Sequence, residues 1–519
     1  MRTNWLELYE GLLKDFGAEK VTTDTLERIA YSHDLAPVIG PVRTTVIRIF
    51  FRMIPDIIFR PNTASEVSEV VRRAHIVGIP ITPRGASTAS FGGAVPGRGG
   101  LLLDLTGMNE ILDFDKNEMV VKVQAGVRWK DLQDYLNTRG YMLGAYPSSA
   151  PSATVGGWIS TGGLGIGSLK YGSVGEQVTS LKVVTPTGEI INTTNNNQIL
   201  FASGYNLNWL YIGAEGTLGT VTEAVIKVYP KHDRILPLAY SFKSLADAQT
   251  LLINLLHSNI KPFHVEFLDQ GCLEMSKKLK LKLPEADALL LIIFEGENLE
   301  VERGSQTFHD LCANLIEEGK AAFLPSAGEG LWEGRFMPLR VKRLGPSFLG
   351  EEVIIPLNKI EFFIKKCHRY SRLYRAHVAV KGFVAAHNSM VMMPSFFLSE
   401  KRKFQFILSY PLSKDIVNLG IKCNGKPYGA GLWNYFFMRL GKGQPAVEFM
   451  KLVKMSIDKK NSFNPSKTVS VRTRLRFDKW IEDELGFPAA AIVFNIGLIV
   501  LGWITKAYRF IINVFYPKY

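Results

Sequence analysis

The sequence predicts an α+β protein with two large domains. Short runs rich in valine, isoleucine and leucine alternate with longer segments of helical periodicity, and the pattern changes near residue 233. The chain has 519 residues, of which 46% are apolar and 21% charged, as in a typical globular protein. This composition excludes a disordered chain, a collagen-like chain and a polytopic membrane protein.

Charge and cysteine usage limit the partners and the compartment. Lysine and arginine number 61 against 48 acidic residues, a net charge of +13 that suits nucleic acid, an anionic membrane surface or an anionic ligand. No nucleic-acid-binding motif accompanies this charge, so nucleic acid is not an expected partner. Four widely spaced cysteines predict no structural zinc and a reducing, cytosol-facing location: Cys272, Cys312, Cys367 and Cys423.

Residues 1–61 are predicted to form an N-terminal helix and a basic, apolar insert. Residues 1–36 carry apolar side chains at helical spacing. Residues 37–61 place arginines among valine, isoleucine and phenylalanine. This insert suits either a buried strand with a loop or a segment that contacts a membrane surface.

Residues 62–232 are predicted to form the first large domain. A helix begins after Thr63, with Glu66 at the capping-box position, and a second amphipathic helix covers residues 129–139. Short β-branched runs predict five strands, at residues 79–82, 101–105, 119–123, 181–184 and 220–228. Residues 233–470 are predicted to form a second α+β domain, in which strands such as 288–294 alternate with helices such as 245–257.

Residues 471–519 end the chain as an apolar tail. Residues 485–504 contain no charged side chain, and this length can span a bilayer, lie in its interface or pack as a buried helix pair. Cationic residues follow, namely Lys506, Arg509 and Lys518. Together with the insert and the net charge, the tail predicts a membrane-associated protein whose catalytic domains face the cytoplasm.

Three segments of small residues interrupt the first domain, at 83–94, 147–165 and 213–223. The first follows a strand and can direct backbone N–H groups and hydroxyls at an anion, with Arg84 adding charge. The second carries almost no large side chains, which suits a flat ligand lying against the backbone. Each segment alone is also typical of a tight turn, but the three together indicate a cofactor site.

These segments resemble the FAD-binding domain of the vanillyl-alcohol oxidase/PCMH superfamily of FAD-linked oxidases. The sequence GAEGTLGTVTEAVIKVYP at 213–230 resembles that domain's closing signature. Residues 331–335, 351–356 and 464–467 resemble landmarks of the group that contains glycolate oxidase, D-lactate dehydrogenase and alkylglycerone-phosphate synthase. The resemblance implies a two-part PCMH-type FAD-binding domain followed by an α+β cap, or substrate, domain.

The resemblance also implies which residues contact FAD. The pyrophosphate loop would contribute Arg84, Gly85, Ala86, Ser87, Thr88 and Ser90. The second segment would line the flavin through Ser148, Thr154, Gly157, Ser160 and Thr161. The third would contribute Glu215, Gly216 and Val221. Family members that bind FAD covalently through the pyrophosphate loop use a histidine there, so Ala86 and Ser87 imply non-covalent FAD.

The chain departs from the family where a metal and a catalytic base are expected. Many members bind a divalent metal through the histidines of a GHVGDGNxH motif, whose counterpart here has Phe383 and Met390 at the ligand positions. The GEHG signature, which supplies a ligand and a catalytic histidine, reads YGAG at 428–431. These departures imply that no metal is bound. They leave His387 either a substitute base or a structural histidine.

Arg335 is the second catalytic candidate, since a planar guanidinium binds carboxylate or phosphate through two parallel hydrogen bonds. The alternative is an ordinary surface arginine.

The resemblance implies an FAD-dependent oxidoreductase that moves a hydride from a hydroxy acid or other alcohol to flavin N5, with a quinone, a partner redox protein or oxygen as electron acceptor. Two alternatives stay open: a membrane-associated enzyme like alkylglycerone-phosphate synthase that takes a lipid-like substrate, or a flavoprotein with a degenerate catalytic site.

Overall fold

The computed structural model describes residues 2–35, 52–194, 204–279, 283–337, 347–374, 376–386, 388–398, 409–432 and 434–469. Its helices are Arg2–Phe16, Thr25–Ala30, Ala64–Val77, Trp129–Asn137, Val155–Thr161, Ser168–Tyr171, Val174–Gln177, Asn208–Tyr211, Leu245–His257, Gln270–Lys278, Asn298–Glu317, Ala327–Glu333, Ile360–Tyr374, Ser409–Lys422, Tyr435–Lys442 and Gln444–Ile457. Helices and strands are mixed throughout, which confirms the α+β class.

The first sheet has four strands, β1 (Val21–Thr22), β2 (Ile57–Phe59), β3 (Ile81–Arg84) and β4 (Leu101–Asp104), in the order β1-β2-β4-β3. β2 and β3 run parallel to β4, while β1 is antiparallel to β2. All three residues of β2 are fully buried, as expected where helices cover a parallel sheet. The end of the predicted insert is therefore a core strand, whereas residues 36–51 lie outside the described residues.

The helix Ala64–Val77 begins and ends at residues whose types favour helix ends. The Thr63 hydroxyl accepts a hydrogen bond from the Glu66 backbone N–H at 3.2 Å, and Gly78 ends the helix in the left-handed conformation. Its buried stripe packs on the first sheet and consists of Val67, Val70, Val71 and Ala74. The predicted helix is confirmed with its cap, and the Glu66 carboxylate accepts from the N–H of Asn62 at 2.8 Å.

Seven strands follow: β5 (Ile111–Asp115), β6 (Val120–Gln124), β7 (Tyr141–Met142), β8 (Val178–Val184), β9 (Ile190–Asn192), β10 (Thr220–Lys227) and β11 (Tyr229–Pro230). Five of them form an antiparallel sheet in the order β5-β6-β10-β8-β9, and β7 pairs with β11. The helices Trp129–Asn137 and Val155–Thr161 share its apolar core, where the rings of Trp129 and Trp158 meet edge to face at 4.9 Å.

The second domain is built on nine strands: β12 (Arg234–Phe242), β13 (His264–Asp269), β14 (Ala288–Gly296), β15 (Ala321–Phe323), β16 (Ser347–Gly350), β17 (Val353–Pro356), β18 (His377–Ala386), β19 (Ser389–Leu398) and β20 (Lys426–Pro427). Their order is β15-β12-β14-β13-β18-β19-β17-β20, with β16 beside β19. Long helices cover one face of this sheet. The opposite face packs on the first domain, because Leu289, Leu291 and Ile293 share a core with Val155 and Trp158.

The described chain ends by returning to the first domain. The Ile81 N–H donates to the Ser462 carbonyl at 2.8 Å, and the Asn464 N–H donates to the Ile81 carbonyl at 2.7 Å. Phe463, between these two residues, is fully buried in the core of the first sheet. Residues 462–464 thus extend the first sheet beside β3, although they belong to the far end of the second domain.

The prediction of a membrane-associated protein is wrong. Within the described ranges, no helix combines the length and the apolar character needed to cross a bilayer. The part of the 37–61 insert that forms a strand is buried inside a sheet and is not presented to a surface. The apolar stretch 485–504 lies outside the described residues, so the structure gives the predicted localisation no support.

Candidate active site

A cavity lies where the second-domain sheet faces the first domain, and all three glycine-rich segments line it. Of the fourteen cofactor-binding residues predicted from the sequence, the following line its wall: Arg84, Gly85, Ala86, Ser87, Thr88, Ser148, Thr154, Gly157, Ser160, Thr161, Glu215, Gly216 and Val221. Ser90 is not part of that wall. Segments from distant parts of the chain therefore meet around one space.

The first segment forms the rim of the cavity after β3. Ser87 has a left-handed backbone, with φ 57°, and its buried hydroxyl has no hydrogen-bond partner. A side chain at Gly85 would overlap the Thr154 hydroxyl of the second segment. The loop therefore needs glycine for close approach, and it leaves a donor directed at whatever fills the space.

Arg84, which is predicted to add charge to the pyrophosphate loop, lines the cavity and also contacts the N-terminal segment. Its Nη1 donates to the carbonyl of His33 at 2.8 Å and to those of Tyr31 and Ala94 at 3.3 Å each. The guanidinium also lies over the Tyr31 ring, 5.1 Å from its centroid, and burial lowers its pKa. Arg84 thus ties the loop to the N-terminal segment, and this fixed position limits what it can offer a phosphate.

The second segment places a short helix against the cavity. The Thr154 hydroxyl caps this helix by accepting from the Gly157 N–H at 3.3 Å. A Cβ atom at Gly156 would lie 2.6 Å from the Ala125 Cβ, so only glycine allows this packing. The Ser160 and Thr161 hydroxyls donate to the carbonyls of Gly156 and Trp158 at 2.7 and 2.9 Å. This part of the cavity wall therefore consists mostly of backbone and small side chains.

Glu215 joins the third segment to the second domain. Its carboxylate accepts from the Gly431 N–H at 2.7 Å, the Ala430 N–H at 3.2 Å and the Thr468 hydroxyl at 3.3 Å. Burial raises the pKa of this carboxyl group, although these hydrogen bonds and the charge of Lys467 act against the rise. The side chain is therefore a clamp between domains at the cavity edge, rather than a group free to contact a cofactor.

The residues present fit FAD. Besides Ser87, the buried hydroxyl of Thr220 has no hydrogen-bond partner and lines the same cavity. Unpaired buried hydroxyls are rare, and both can donate to phosphate or ring oxygens and nitrogens. A cradle of glycines that a Cβ would fill, together with hydroxyls that lack partners, suits an elongated, polar cofactor with one flat end.

We expect this cofactor to be released without breaking a covalent bond. Ala86 and Ser87 stand where the family's covalent members carry histidine, and neither side chain forms the usual flavin linkage. Acid precipitation should leave the protein colourless and bring yellow flavin into the supernatant. Flavin that remains with the pellet would show a covalent link elsewhere in the chain.

Arg335 lines the same cavity and is held in an aromatic setting. Its Nη1 donates to the Trp332 carbonyl at 2.9 Å, and its guanidinium lies over the rings of Trp332 and Phe336 at 4.2 and 4.5 Å. Burial raises the pKa of the neighbouring Tyr146 to about 12, and the positive charge of Arg335 acts against this rise. The buried Nε atom has no hydrogen-bond partner. Arg335 is therefore a partly buried arginine of the cavity wall.

Five ionisable side chains on or next to strands of the second-domain sheet also line the cavity: His264, Glu266, Glu352, Lys381 and Tyr428. Lys381 Nζ contacts Glu266 Oε1 at 2.7 Å, and His264 Nε2 lies 3.8 Å from Glu266 Oε2. Burial alone would raise the pKa of Glu266, but Lys381 and His264 outweigh it and lower the pKa to about 2. Glu266 is thus ionised and neutralises Lys381.

Sequence reasoning missed this group, because its members come from separate strands. The available signal was the spacing of His264 and Glu266, which lie two residues apart in one strand and therefore on one face of the sheet. Of the positions where the family carries metal-binding histidines, Phe383 lies in the cavity wall beside His264, with ring centroids 5.8 Å apart, and Met390 is fully buried. His387, the predicted base, lies outside the described residues.

Comparison with known protein families divides the chain in the same way as the structure. Residues 55–194 match the family described as FAD binding domain, and residues 232–468 match the family described as FAD linked oxidases, C-terminal domain. The second match includes the strands that carry the ionisable group.

Among curated proteins, the chain is 27% identical over 481 residues to the glycolate oxidase subunit GlcD of Bacillus subtilis, covering 91% of this chain and 98% of that protein. It is 31% identical over 355 residues to a D-lactate dehydrogenase of Anaerostipes hadrus, covering 64% of this chain and 70% of that protein.

Two solved structures share the fold. The chain superposes on alkyldihydroxyacetonephosphate synthase with a TM-score of 0.70 and 23% identity, over 89% of this chain and 85% of that one. It superposes on p-cresol methylhydroxylase with substrate bound with a TM-score of 0.76 and 17% identity, over 90% and 97% of the two chains.

Proposed function

Because this chain belongs to the FAD-linked oxidases of the vanillyl-alcohol oxidase/PCMH superfamily, we propose that it oxidises a small 2-hydroxy acid to the corresponding 2-oxo acid. FAD is its cofactor, and relatives of the glycolate oxidase and D-lactate dehydrogenase type are named for hydroxy acids. The finer assignment of substrate and of residue roles is our inference.

The observation that carries the proposal is the unpartnered Nε of Arg335 inside the cavity. A buried guanidinium N–H without an acceptor is costly, and a substrate carboxylate supplies that acceptor. The Trp332 carbonyl and the two aromatic rings hold the guanidinium plane in place before substrate arrives. Little ordering is then needed on binding, which favours affinity.

Other residues that line the cavity would position the substrate and shield it from water. When bound, FAD supplies the two-electron oxidant for the carbinol carbon. Arg335 would hold the carboxylate, while Phe383 and Met393 on the sheet face exclude water from the carbinol. The pair formed by Lys381 and Glu266 adds no net charge, so the site suits one carboxylate better than two. Because FAD must be reoxidised, a quinone, a partner redox protein or oxygen would take the electrons.

The test is an anaerobic spectral screen of the purified, FAD-containing protein against 2-hydroxy acids, sugars and lipid alcohols. We expect monocarboxylic 2-hydroxy acids to bleach the yellow flavin band and sugars to leave it unchanged. EDTA should leave the bleaching intact, since Phe383 and Met390 cannot coordinate a divalent metal as histidine does.

Other results would contradict the proposal in distinct ways. A flavin band that no hydroxy acid bleaches would indicate a flavoprotein whose site has lost catalysis. Formation of an ether lipid from a lipid alcohol, without net flavin reduction, would indicate chemistry of the alkylglycerone-phosphate synthase type.

A further inference from the structure

Oxidation of a hydroxy acid releases a proton from the hydroxyl group, and some group must accept it. Ala430 stands in the YGAG segment and Phe383 in the cavity wall, and neither can take a proton. We propose that Glu352 is the proton acceptor of this active site. This inference rests on the proposed function and adds a catalytic residue to it.

The position of Glu352 is fixed with respect to the second glycine-rich segment. Its backbone carbonyl accepts from the Tyr428 N–H at 3.0 Å. The Tyr428 hydroxyl in turn donates to the Leu164 carbonyl at 3.0 Å and accepts from the Leu164 N–H at 2.7 Å. Since residues 147–165 form the low wall expected to face the flavin, these contacts hold Glu352 close to the place where chemistry occurs.

Glu352 lines the cavity, unlike its neighbour Glu351. Glu351 is buried and accepts a hydrogen bond from Ser413, whereas Glu352 is partly exposed and lines the cavity. Across the sheet, Val353 pairs with Met392 and Lys381 with Met393. Glu352, just before β17, therefore lies beside Met393 of β19, which lies beside Lys381 of β18, and all three line the cavity.

The other ionisable groups that line the cavity are less suited to accept a proton. Lys381 and Arg335 are cations, and Glu266 is held ionised with its pKa lowered to about 2, which makes it a weak base. Burial and the nearby charge of Glu352 raise the pKa of Tyr428, so its phenol stays protonated. Burial also raises the pKa of Glu352 to about 7, the range in which a carboxylate is an effective base near neutral pH.

His264 is the rival base. It is almost fully buried, its ring lies against Phe383, and its Nδ1 atom has no hydrogen-bond partner. Its Nε2 lies 3.8 Å from Glu266 Oε2, and this carboxylate already pairs with Lys381. Glu352 is therefore favoured, and the experiment includes a variant that decides between the two.

Atoms and electrons balance in the proposed step. The substrate O–H bond breaks, its electron pair forms the C=O bond, and the proton bonds to the Glu352 carboxylate. The hydrogen of the carbinol C–H bond leaves with its electron pair to FAD. The products are a 2-oxo acid, two-electron-reduced FAD and a neutral Glu352, which returns its proton to solvent.

The test compares anaerobic flavin reduction by the best substrate of the screen in wild type, Glu352→Gln and the neighbouring control Glu351→Gln. Loss of a general base costs roughly 10²–10⁴-fold in rate. We expect Glu352→Gln to fall in this range with little change in substrate dissociation constant, and Glu351→Gln to stay near wild type. The wild-type rate should rise as pH increases through about 7, because only the ionised carboxylate accepts a proton. Glu352→Gln should lose this rise.

A second measurement does not depend on turnover. Binding of the unreactive analogue oxamate, an anion, should raise the pKa of Glu352 and draw protons from a weakly buffered solution at about pH 7. This uptake should be present in wild type and absent in Glu352→Gln. If Glu352→Gln does not fold, Glu352→Asp should keep a displaced pH step and a reduced rate.

Several outcomes would overturn the proposal. A Glu352→Gln variant that is reduced at the wild-type rate with the wild-type pH profile would refute the role of Glu352 alone. Loss of the pH rise in His264→Asn, with Glu352→Gln unaffected, would assign the base to His264. Wild type that no hydroxy acid reduces would refute the proposed function and, with it, this inference.

Discussion

Replacing Arg335 with methionine is expected to lower the bimolecular rate of flavin reduction by 2-hydroxy acids about a thousandfold. An arginine that binds a carboxylate through two charge-assisted hydrogen bonds gains about 1.5–3 kcal/mol from each. Loss of about 4 kcal/mol of transition-state stabilisation corresponds to a thousandfold lower rate. Methionine keeps much of the volume between the Trp332 and Phe336 rings, so the cavity should keep its shape. Stopped-flow reduction at several substrate concentrations would measure the effect.

Two variants serve as controls for Arg335. Arg335→Lys keeps the charge but loses the planar fork, and it should recover only part of the rate. Arg234→Met removes an arginine that pairs with Glu302 at 3.0 Å near the surface, and it should have no effect. A reduction rate within tenfold of wild type in Arg335→Met would show that the carboxylate binds elsewhere.

Replacing Glu215 with alanine is expected to release FAD and to lower the free energy of unfolding by about 3 kcal/mol. The change leaves the N–H groups of Gly431 and Ala430 without their acceptor, at about 1–3 kcal/mol each. It also removes the negative charge beside the buried Lys467, whose pKa burial already lowers to about 7. Flavin content after gel filtration and urea unfolding would measure the two effects.

The matched control for Glu215 is Glu223→Gln. Glu223 is a mostly buried carboxylate of β10 that pairs with Lys122 and Lys182 at 3.2 and 2.7 Å and does not line the cavity. This variant should lose some stability but keep its flavin. If Glu215→Ala keeps full flavin while Glu223→Gln loses it, the clamp has been assigned to the wrong carboxylate.

Features encoded by neighbouring residues could be predicted from the sequence. The cap at Thr63 and the stop at Gly78 involve contacts within one helix, and the helix Leu245–His257 has the predicted bounds. The three glycine-rich segments were informative because three independent tracts of small residues in one domain are rarely all turns. Their convergence on one cavity depends on the fold, because the first tract follows β3 of the first sheet whereas the third leads into β10 of the second sheet.

The group of ionisable side chains that line the cavity could not be predicted in the same way. Glu266 and Lys381 come from β13 and β18, and Glu352 immediately precedes β17, so only the pairing of β13, β18, β19 and β17 brings them together. Arg84 looked like a phosphate ligand because it follows a strand and precedes glycine. Arg84 also donates to the carbonyls of residues 31, 33 and 94, and nothing near Arg84 in the sequence signals that those carbonyls need a donor.

The burial of Phe463 beside Ile81 has a consequence for the synthesis of this protein. The ribosome makes Ile81 about 380 residues before its partner, an interval on the order of tens of seconds at roughly 5–20 residues per second. During that time the edge of β3 has no neighbour from the chain's far end, and the first domain lacks part of its core. The nascent first domain should therefore depend on chaperones, and a fragment ending near residue 232 should aggregate when expressed alone but recover if residues 233–470 are supplied as a second chain.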